Sequence, residues 1–586
     1  MPTPPTPSPT RRRSSRISQL VVPPTSTTTK RIANGRKRAT VAATASHEVD
    51  SSIEEDGEEA TTSSGSKKRK APSTILTSGS STKKAAVAAE LDDPSTSSSE
   101  PLTRPRAPFS LFPSHDAFTL PAPIAPLPSP KVAPRALFIF GSDASAGVLG
   151  LGTDLPAGQD EIKRPRRHQF FEEKIRSSEE GWSRGVADVA CGGMHTLVVD
   201  GEGRIRSWGT NDHGTLGRAT DKLDADKDDL ESRPGLVEYL DTPAAPLDAT
   251  IVSGGDSVSV ALGRNGKLKA WGAFKSIPGD LMFYGNNKEQ LVPTAFRVLD
   301  NCAFSQVECG DNHVLALTST GTVFSWGMDE MKQLGRGDNQ VSTTRSLRPE
   351  PVTLLKDIVL IGAGMMHSFA VDKDGEVYSW GLNFFRQTGI AEIDGGSGDM
   401  ISMPTRVAAL SPTRHNGARV VQIVAGYHHS LFLLSTGKVY VCGRCDDCQL
   451  GIAGPRSSDC IAQPTLLAFP KEPKHNELVR ETVKTVDDLN DSLETEETSI
   501  VQLACDSKHS LAVSSRGYVY CWGAGPSFQL GQGNVKALET PTRIWNTALK
   551  NVRVLRAETG GQHSVLIGID RDAPGGEVAT VAGERV

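Results

Sequence analysis

From residue 190 onward the chain repeats one arrangement of apolar and polar positions. Residues 192–217 read GGMHTLVVDGEGRIRSWGTNDHGTLG. A G-x-x-H opening leads into an alternating apolar run, a glycine turn, a second alternating run ending in W-G, and then L-G. Alternation over five or six residues marks a strand with one buried face. The glycine between the runs allows the tight turn of an antiparallel pair. The interval from the His slot to the Trp slot is always thirteen residues: His195 to Trp208, Val258 to Trp271, His313 to Trp326, His367 to Trp380, His429 to Cys442 and His509 to Trp522. A seventh opening, GGQHSVLI with His563, lacks a second half, because Gly576 stands thirteen residues on. RALFIFG at residues 135–141, followed by GVLGLG, supplies the missing half from the other end of the array.

A unit divided between the two ends of an array implies closure into a ring. Successive His slots lie 63, 55, 54, 62, 80 and 54 residues apart, near or above the roughly 40–50 residues of a four-stranded propeller blade. The expected fold is therefore all-β, a seven-bladed β-propeller with a split closing blade over residues 135–570. The widest interval holds an acidic stretch at about 471–499, read as a mobile insertion between blades, and residues 571–586 read as a loose end.

Residues 1–134 are dense in Pro, Ser, Thr, Lys and Arg and poor in aromatics. Such a stretch cannot bury enough apolar surface to offset ordering, so a disordered tail is expected. The net charge of −5 conceals three basic clusters there: Arg11, Arg12 and Arg13; Lys30, Arg31, Arg36, Lys37 and Arg38; and Lys67, Lys68, Arg69 and Lys70. Dense positive charge on extended chain suits import receptors or DNA phosphates, with a merely solubilising tail as the alternative. Thr3, Thr6 and Ser8 each precede proline beside the first cluster, so phosphorylation there would subtract charge. A further basic run, KRPRRHQFF at 163–171, reads as a loop that either extends DNA contact or is solvated. No apolar run approaches eighteen residues and no signal peptide opens the chain, which points to a soluble intracellular protein without a membrane. The nine cysteines read as free thiols.

No nucleophile elbow, H-E-x-x-H, P-loop or dinucleotide fingerprint occurs, so covalent catalysis is not expected. Cys442, Cys445 and Cys448 have a suggestive spacing, but a cysteine metal site wants four ligands and Cys442 occupies a Trp slot. No cofactor is expected. The second unit departs most from the repeat: GGDSVSVALGRNGKLKAWGAFKSIPGDLMFYG replaces the His by Val258 and lacks L-G after Trp271-Gly272. Pro278-Gly279 marks a turn, so the chain makes a hairpin-like excursion or an ordinary long loop.

With these motifs the units resemble repeats of the regulator of chromosome condensation family, over about residues 135–570. The resemblance implies a guanine-nucleotide exchange factor for the small GTPase Ran, bound in the nucleus to the histones and DNA of nucleosomes and imported through its tail. The family's exchange factors carry a wedge patterned W-G-S-F-R-x-x-x-G. W-G-A-F-K-S-I-P-G at 271–279 is similar, which implies Phe274, Lys275, Ser276, Ile277, Pro278, Gly279 and Asp280 as a wedge that displaces the GTPase's phosphate-binding loop and favours loss of its Mg²⁺. Catalytic roles are implied for Asp256, which follows Gly255, and for His428, first of the pair in AGYHHS. Further GTPase contacts are implied at His195, Arg336, His563 and Asn383, and at Asp311 or Asn312, whose order inverts the family's. Asp143 is the nearest match to an Asp in the first L-G loop. Arg345 and Arg348 fall where the family docks on the nucleosome. A propeller that only scaffolds chromatin or ubiquitin complexes is the competing class; the wedge and Asp256 favour exchange.

Overall fold

A computed structural model describes residues 134–573 apart from breaks at 144–146, 155–159, 178–181, 183, 222–225, 239–246, 286, 338–341, 455–457 and 474–494. The basic clusters of the tail, its expected disorder, the Thr-Pro and Ser-Pro sites, most of the acidic insertion and nearly all of the C-terminal end lie outside the described residues.

Seven four-stranded antiparallel sheets form the blades. In blade 1, Val186–Cys191, His195–Asp200, Ile205–Gly209 and Gly235–Leu236 follow one another outward. The first strand of every blade lines a central cavity of about 190 Å³. The constant interval of thirteen follows from hairpin register: His195 faces Gly209 and Thr196 faces Trp208, and the same pairing recurs down to His509 with Gly523.

The closing blade runs Glu161–Arg167, Ala136–Ser142, His563–Asp570, Val552–Thr559, with Phe140 paired to Ser564. Two strands from the N-terminal side complete it, where the sequence suggested one. The basic run KRPRR is thus not a loop but the outer edge strand, on which Lys163, Arg164 and Arg166 face solvent. QFFEEKIR beyond it is the helix Gln169–Arg176, whose Phe171 packs against Trp182 and Trp208 at 5.3 and 5.7 Å.

Six of the seven seams between blades share a polar latch. The slot histidine reaches the hydroxyl one residue past the next blade's slot: His195 to Ser259 (2.9 Å), His313 to Ser368 (2.9 Å), His367 to Ser430 (2.9 Å), His429 to Ser510 (3.3 Å), His509 to Ser564 (3.1 Å) and His563 to Thr196 (2.8 Å). At five of these seams the serine donates its proton to a carbonyl of the preceding blade's L-G loop, as Ser368 does to Gln333 O (2.8 Å) and Ser259 to Thr215 O (2.9 Å). At these seams Nε2 must therefore be the donor. Burial keeps the rings neutral, lowering His195 to about 4 and His313, His429, His509 and His563 to about 3. Trp271 and Trp380 add their indole N–H groups to the same two carbonyls, both at 2.8 Å.

The seam between blades 2 and 3 has none of this. Val258 replaces the histidine, and the partner position holds Val314; both are fully buried in one apolar cluster. The indole N–H of Trp326 has no acceptor among the described residues, because the L-G loop that would offer one is replaced by the excursion after Gly272. Phe274, Phe283, Phe296 and Trp326 instead form a run of rings 5.6–5.9 Å apart. Replacing both partners of a buried hydrogen bond by apolar groups removes the bond without stranding either partner.

Candidate functional site

The G-x-x-H turns converge at one end of the central channel, where main-chain bonds pass from blade to blade. Gly561 N donates to Gly193 O (3.1 Å), Gly193 N to Gly255 O (3.1 Å), Asp256 N to Asp311 O (2.9 Å), Asp311 N to Met365 O (3.3 Å) and Met365 N to Gly426 O (3.2 Å). This collar carries Asp256, Asp311, Met365 and Tyr427 two residues before their slots, and Asp506 three before His509. A Cβ on Gly193 would lie 2.8 Å from Asp256 Oδ1, so the glycine leaves room for that carboxylate. Burial, then Asp256 and Asp506, raise Asp311 well above the usual carboxylate range. Burial and Asp256 push Asp506 up to about 7, and its Oδ2 has no partner. Asp311 is the main reason the Tyr427 phenol is also raised. Three crowded carboxylates suit an incoming cation and repel an anion.

The excursion leaves from the same end, since Ala273 N donates to Ser257 O at 2.7 Å. Phe274–Lys275 pairs with Leu281–Met282, and the turn is closed by Ser276 N to Asp280 O, Gly279 N to Ser276 O and Asp280 N to Ser276 Oγ, each 2.9 Å. Gly279 adopts φ 100°, where only glycine is unstrained. Pro278, Gly279 and Asp280 are exposed, Ile277 is half-buried and Lys275 is exposed. Phe274 and Ser276, expected as contact residues, are buried: the first anchors the prong in the apolar seam and the second closes its turn. Blade 3 fastens the prong from the side. Asn312 Oδ1 accepts the Lys275 N–H (2.7 Å), and the Glu330 carboxylate accepts the Ile277 N–H (2.9 and 3.0 Å).

Four of the expected contacts are held by bonds within the ring. His195 and His563 are buried latch residues with Nε2 committed to the next blade. Asn383 is fully buried; its amide bonds Gly396 O and Gly398 O (2.9 Å each) and its Oδ1 accepts from Thr388 Oγ1 (2.6 Å), tying its own loop. The Arg336 side chain is only 4% exposed. It donates to Ser325 O, Arg345 O (3.2 Å) and Arg348 O (2.8 Å), as Arg218 does to Ser207 O, Leu230 O and Arg233 O in blade 1. Both arginines clamp the excursion that follows an L-G.

The other candidates have distinct places. Asp311 and Asn312 separate, one to the channel mouth and one to the prong. His428 is half-buried with its ring 4.8 Å from Phe385; burial, then Arg444, lowers it to about 4, so it is neutral at pH 7. Asp143 accepts the Leu149 N–H (2.8 Å), and burial pushes it up to about 6. Arg345 pairs with Glu350 at 3.2 Å. Cys442 sits in its Trp slot, fully buried, and Cys445 is also buried. Among the described residues no three His, Cys, Asp or Glu side chains are grouped to hold a metal ion, and no helix is long and apolar enough to cross a membrane. Sequence reasoning missed Glu330 and Asp506. The second was visible, since CDSKH puts an Asp where the repeat has Gly.

A seven-bladed ring with a split closing blade and one prong defines an RCC1-like propeller, and residues 136–566 match the family described as RCC1-like domain. The chain belongs to that family. It is 35% identical to Protein pim1 of Schizosaccharomyces pombe over 74% of both chains. It is 34% identical to the guanine nucleotide exchange factor SRM1 of Saccharomyces cerevisiae, over 76% of this chain and 90% of that one. A crystal structure of Prp20p from S. cerevisiae, described with its binding properties to Gsp1p and histones, superposes with a TM-score of 0.61 at 30% identity, covering 75% of this chain and 94% of that one. A structure of Kap60 bound to yeast RCC1 (Prp20) gives 0.64 at 31% identity, covering 80% and 96%.

Proposed function

We propose that this protein is a guanine-nucleotide exchange factor for a Ran-type GTPase, acting from the end of the ring that carries the prong. The observation that bears most weight is the exposed tip at residues 278–280, beside a channel mouth lined by Asp256, Asp311 and Asp506. A GTPase holds its nucleotide through phosphate-loop amides, a lysine and Mg²⁺. An exchange factor must bind the loosened state better than the closed one. The prong supplies steric pressure at the phosphate region, and the carboxylates attract basic groups released there. His428, neutral, is available as a hydrogen-bonding group on the same face. No bond in the nucleotide is made or broken.

The relatives' exchange activity and the Gsp1p, histone and Kap60 binding described for Prp20 support nuclear, chromatin-associated work with import through the basic tail. The test is release of fluorescent nucleotide from purified Ran. Asp256→Ala should lower turnover at saturating Ran about tenfold or more while changing Ran affinity far less. Equal losses in both would make Asp256 a docking residue, and wild-type turnover would remove it from the site. Deleting residues 1–134 should leave exchange on free Ran intact and weaken import and DNA association.

A further inference from the structure

We infer that Glu330 is a positioning residue that fixes the angle at which the prong meets its GTPase, an inference that rests on the exchange reading above. The prong has only two ladder pairs, Phe274 with Met282 and Lys275 with Leu281, and a two-stranded ribbon is marginal without further support. Past Lys275 the next outward main-chain donor is the Ile277 N–H. It points away from the hairpin, to both oxygens of Glu330 in blade 3.

The loop that carries Glu330 does not need its carboxylate. Leu334 N is accepted by Asp329 Oδ1 (3.0 Å) and Met331 N by Gln333 Oε1 (2.9 Å). Blade 4 meets the second of these needs with Gln387 and blade 5 with Gln449. The slot equivalent to Glu330, seventeen residues past the His slot, holds Asp212, Phe384, Asp446 and Pro526 in other units, so no repeat requirement selects a glutamate there. Nor does charge pairing, because among the described residues no Lys or Arg pairs with Glu330. Partial burial and Asp280 both raise it, and only the Ile277 amide works the other way. Glu330 is exposed to solvent, so no packing requirement holds it there either, and what its carboxylate grips is one main-chain amide of the prong. That bond joins the tip, which belongs to blade 2 in sequence, to blade 3 across the apolar seam.

The test uses the full-length chain and nucleotide release from Ran across Ran concentrations. Glu330→Ala should lower turnover roughly tenfold, as expected for loss of a charge-assisted hydrogen bond, and change half-saturation less than threefold. Glu330→Gln keeps a neutral acceptor and should restore most of the turnover. Amide-hydrogen exchange across residues 275–282 should quicken in the alanine variant and not in the glutamine variant. Wild-type turnover in Glu330→Ala, equal changes in turnover and half-saturation, or a glutamine variant as impaired as the alanine one would each overturn the positioning role. A chain shortened at residues 277–280 separates the two claims. If it exchanges normally, the prong reading fails, and the amide-exchange arm still decides whether Glu330 fastens it.

Discussion

Between blades 3 and 4, His313 reaches Ser368, Ser368 reaches Gln333 O, and Trp380 shares that carbonyl. Between blades 2 and 3 the same three positions are Val258, Val314 and an indole N–H with no acceptor among the described residues, and four aromatic rings fill the space. The polar seam depends on an L-G loop of the preceding blade. Once that loop becomes a prong its carbonyl is gone, and a lone His or Ser left behind would be a stranded buried donor. The valine pair and the ring stack are therefore what permits a protruding element at this point of the circle.

The comparison breaks most sharply at Phe283. Phe283→Ala should cost about 3–5 kcal/mol, because a fully buried ring between Phe274 and Phe296 leaves a cavity. Chemical denaturation measures it, and a loss below about 1 kcal/mol would mean the rings do not hold the seam. Copying the apolar solution into the next seam is a gentler test. His313→Val alone should cost about 1–3 kcal/mol, whereas His313→Val with Ser368→Val should recover part of that loss. Strict additivity would show that the two side chains do not act as a unit.

The smallest effect is in pH. His313 is held at about 3 when folded and returns to about 6.5 when unfolded, so below pH 6.5 the unfolded chain binds the extra proton and stability falls with pH. Six latch histidines share this sign. Asp506 and Glu308, both pushed up to about 7 by burial, oppose it as the pH drops from 7 toward the ordinary carboxylate range. Asp143, Asp188, Asp311, Glu472 and Glu558 are raised by burial as well, so the latch contribution is read by difference against the unchanged ring. Removing the His313 latch as the valine pair should shrink the loss between pH 7 and 5 by about 1–2 kcal/mol, read from unfolding midpoints. An unchanged pH dependence would mean that His313 is not neutral in the fold.

The ring was legible because its strongest signal, a thirteen-residue interval, is the register of a hairpin and tolerates no slip. The edge strand Glu161–Arg167 was not, since charges on an outer strand with only one neighbour, Ala136–Ser142, look like a solvated loop. Arg336 and Asn383 tie their own loops, and the chain held the signal for that. Arg218 and Arg336 both stand 23 residues past a slot histidine, and Asn211, Asp329 and Asn383 all stand 16 past one. A polar residue that returns at a fixed interval serves the repeat. Asp506 breaks the pattern of its slot and Glu330 stands in a slot that has none, and such positions were the better guide to what the ring does beyond holding itself together.

The divided closing blade also sets the order of manufacture. Ala136–Ser142 leaves the ribosome more than four hundred residues before its partner His563–Asp570. At ~5–20 residues per second that is a wait of roughly 20–90 s. Until synthesis ends, ALFIFGS has only Glu161–Arg167 beside it, its other edge waits unpaired and the circle stays open, so a chain stopped short of His563 yields a ring that cannot shut.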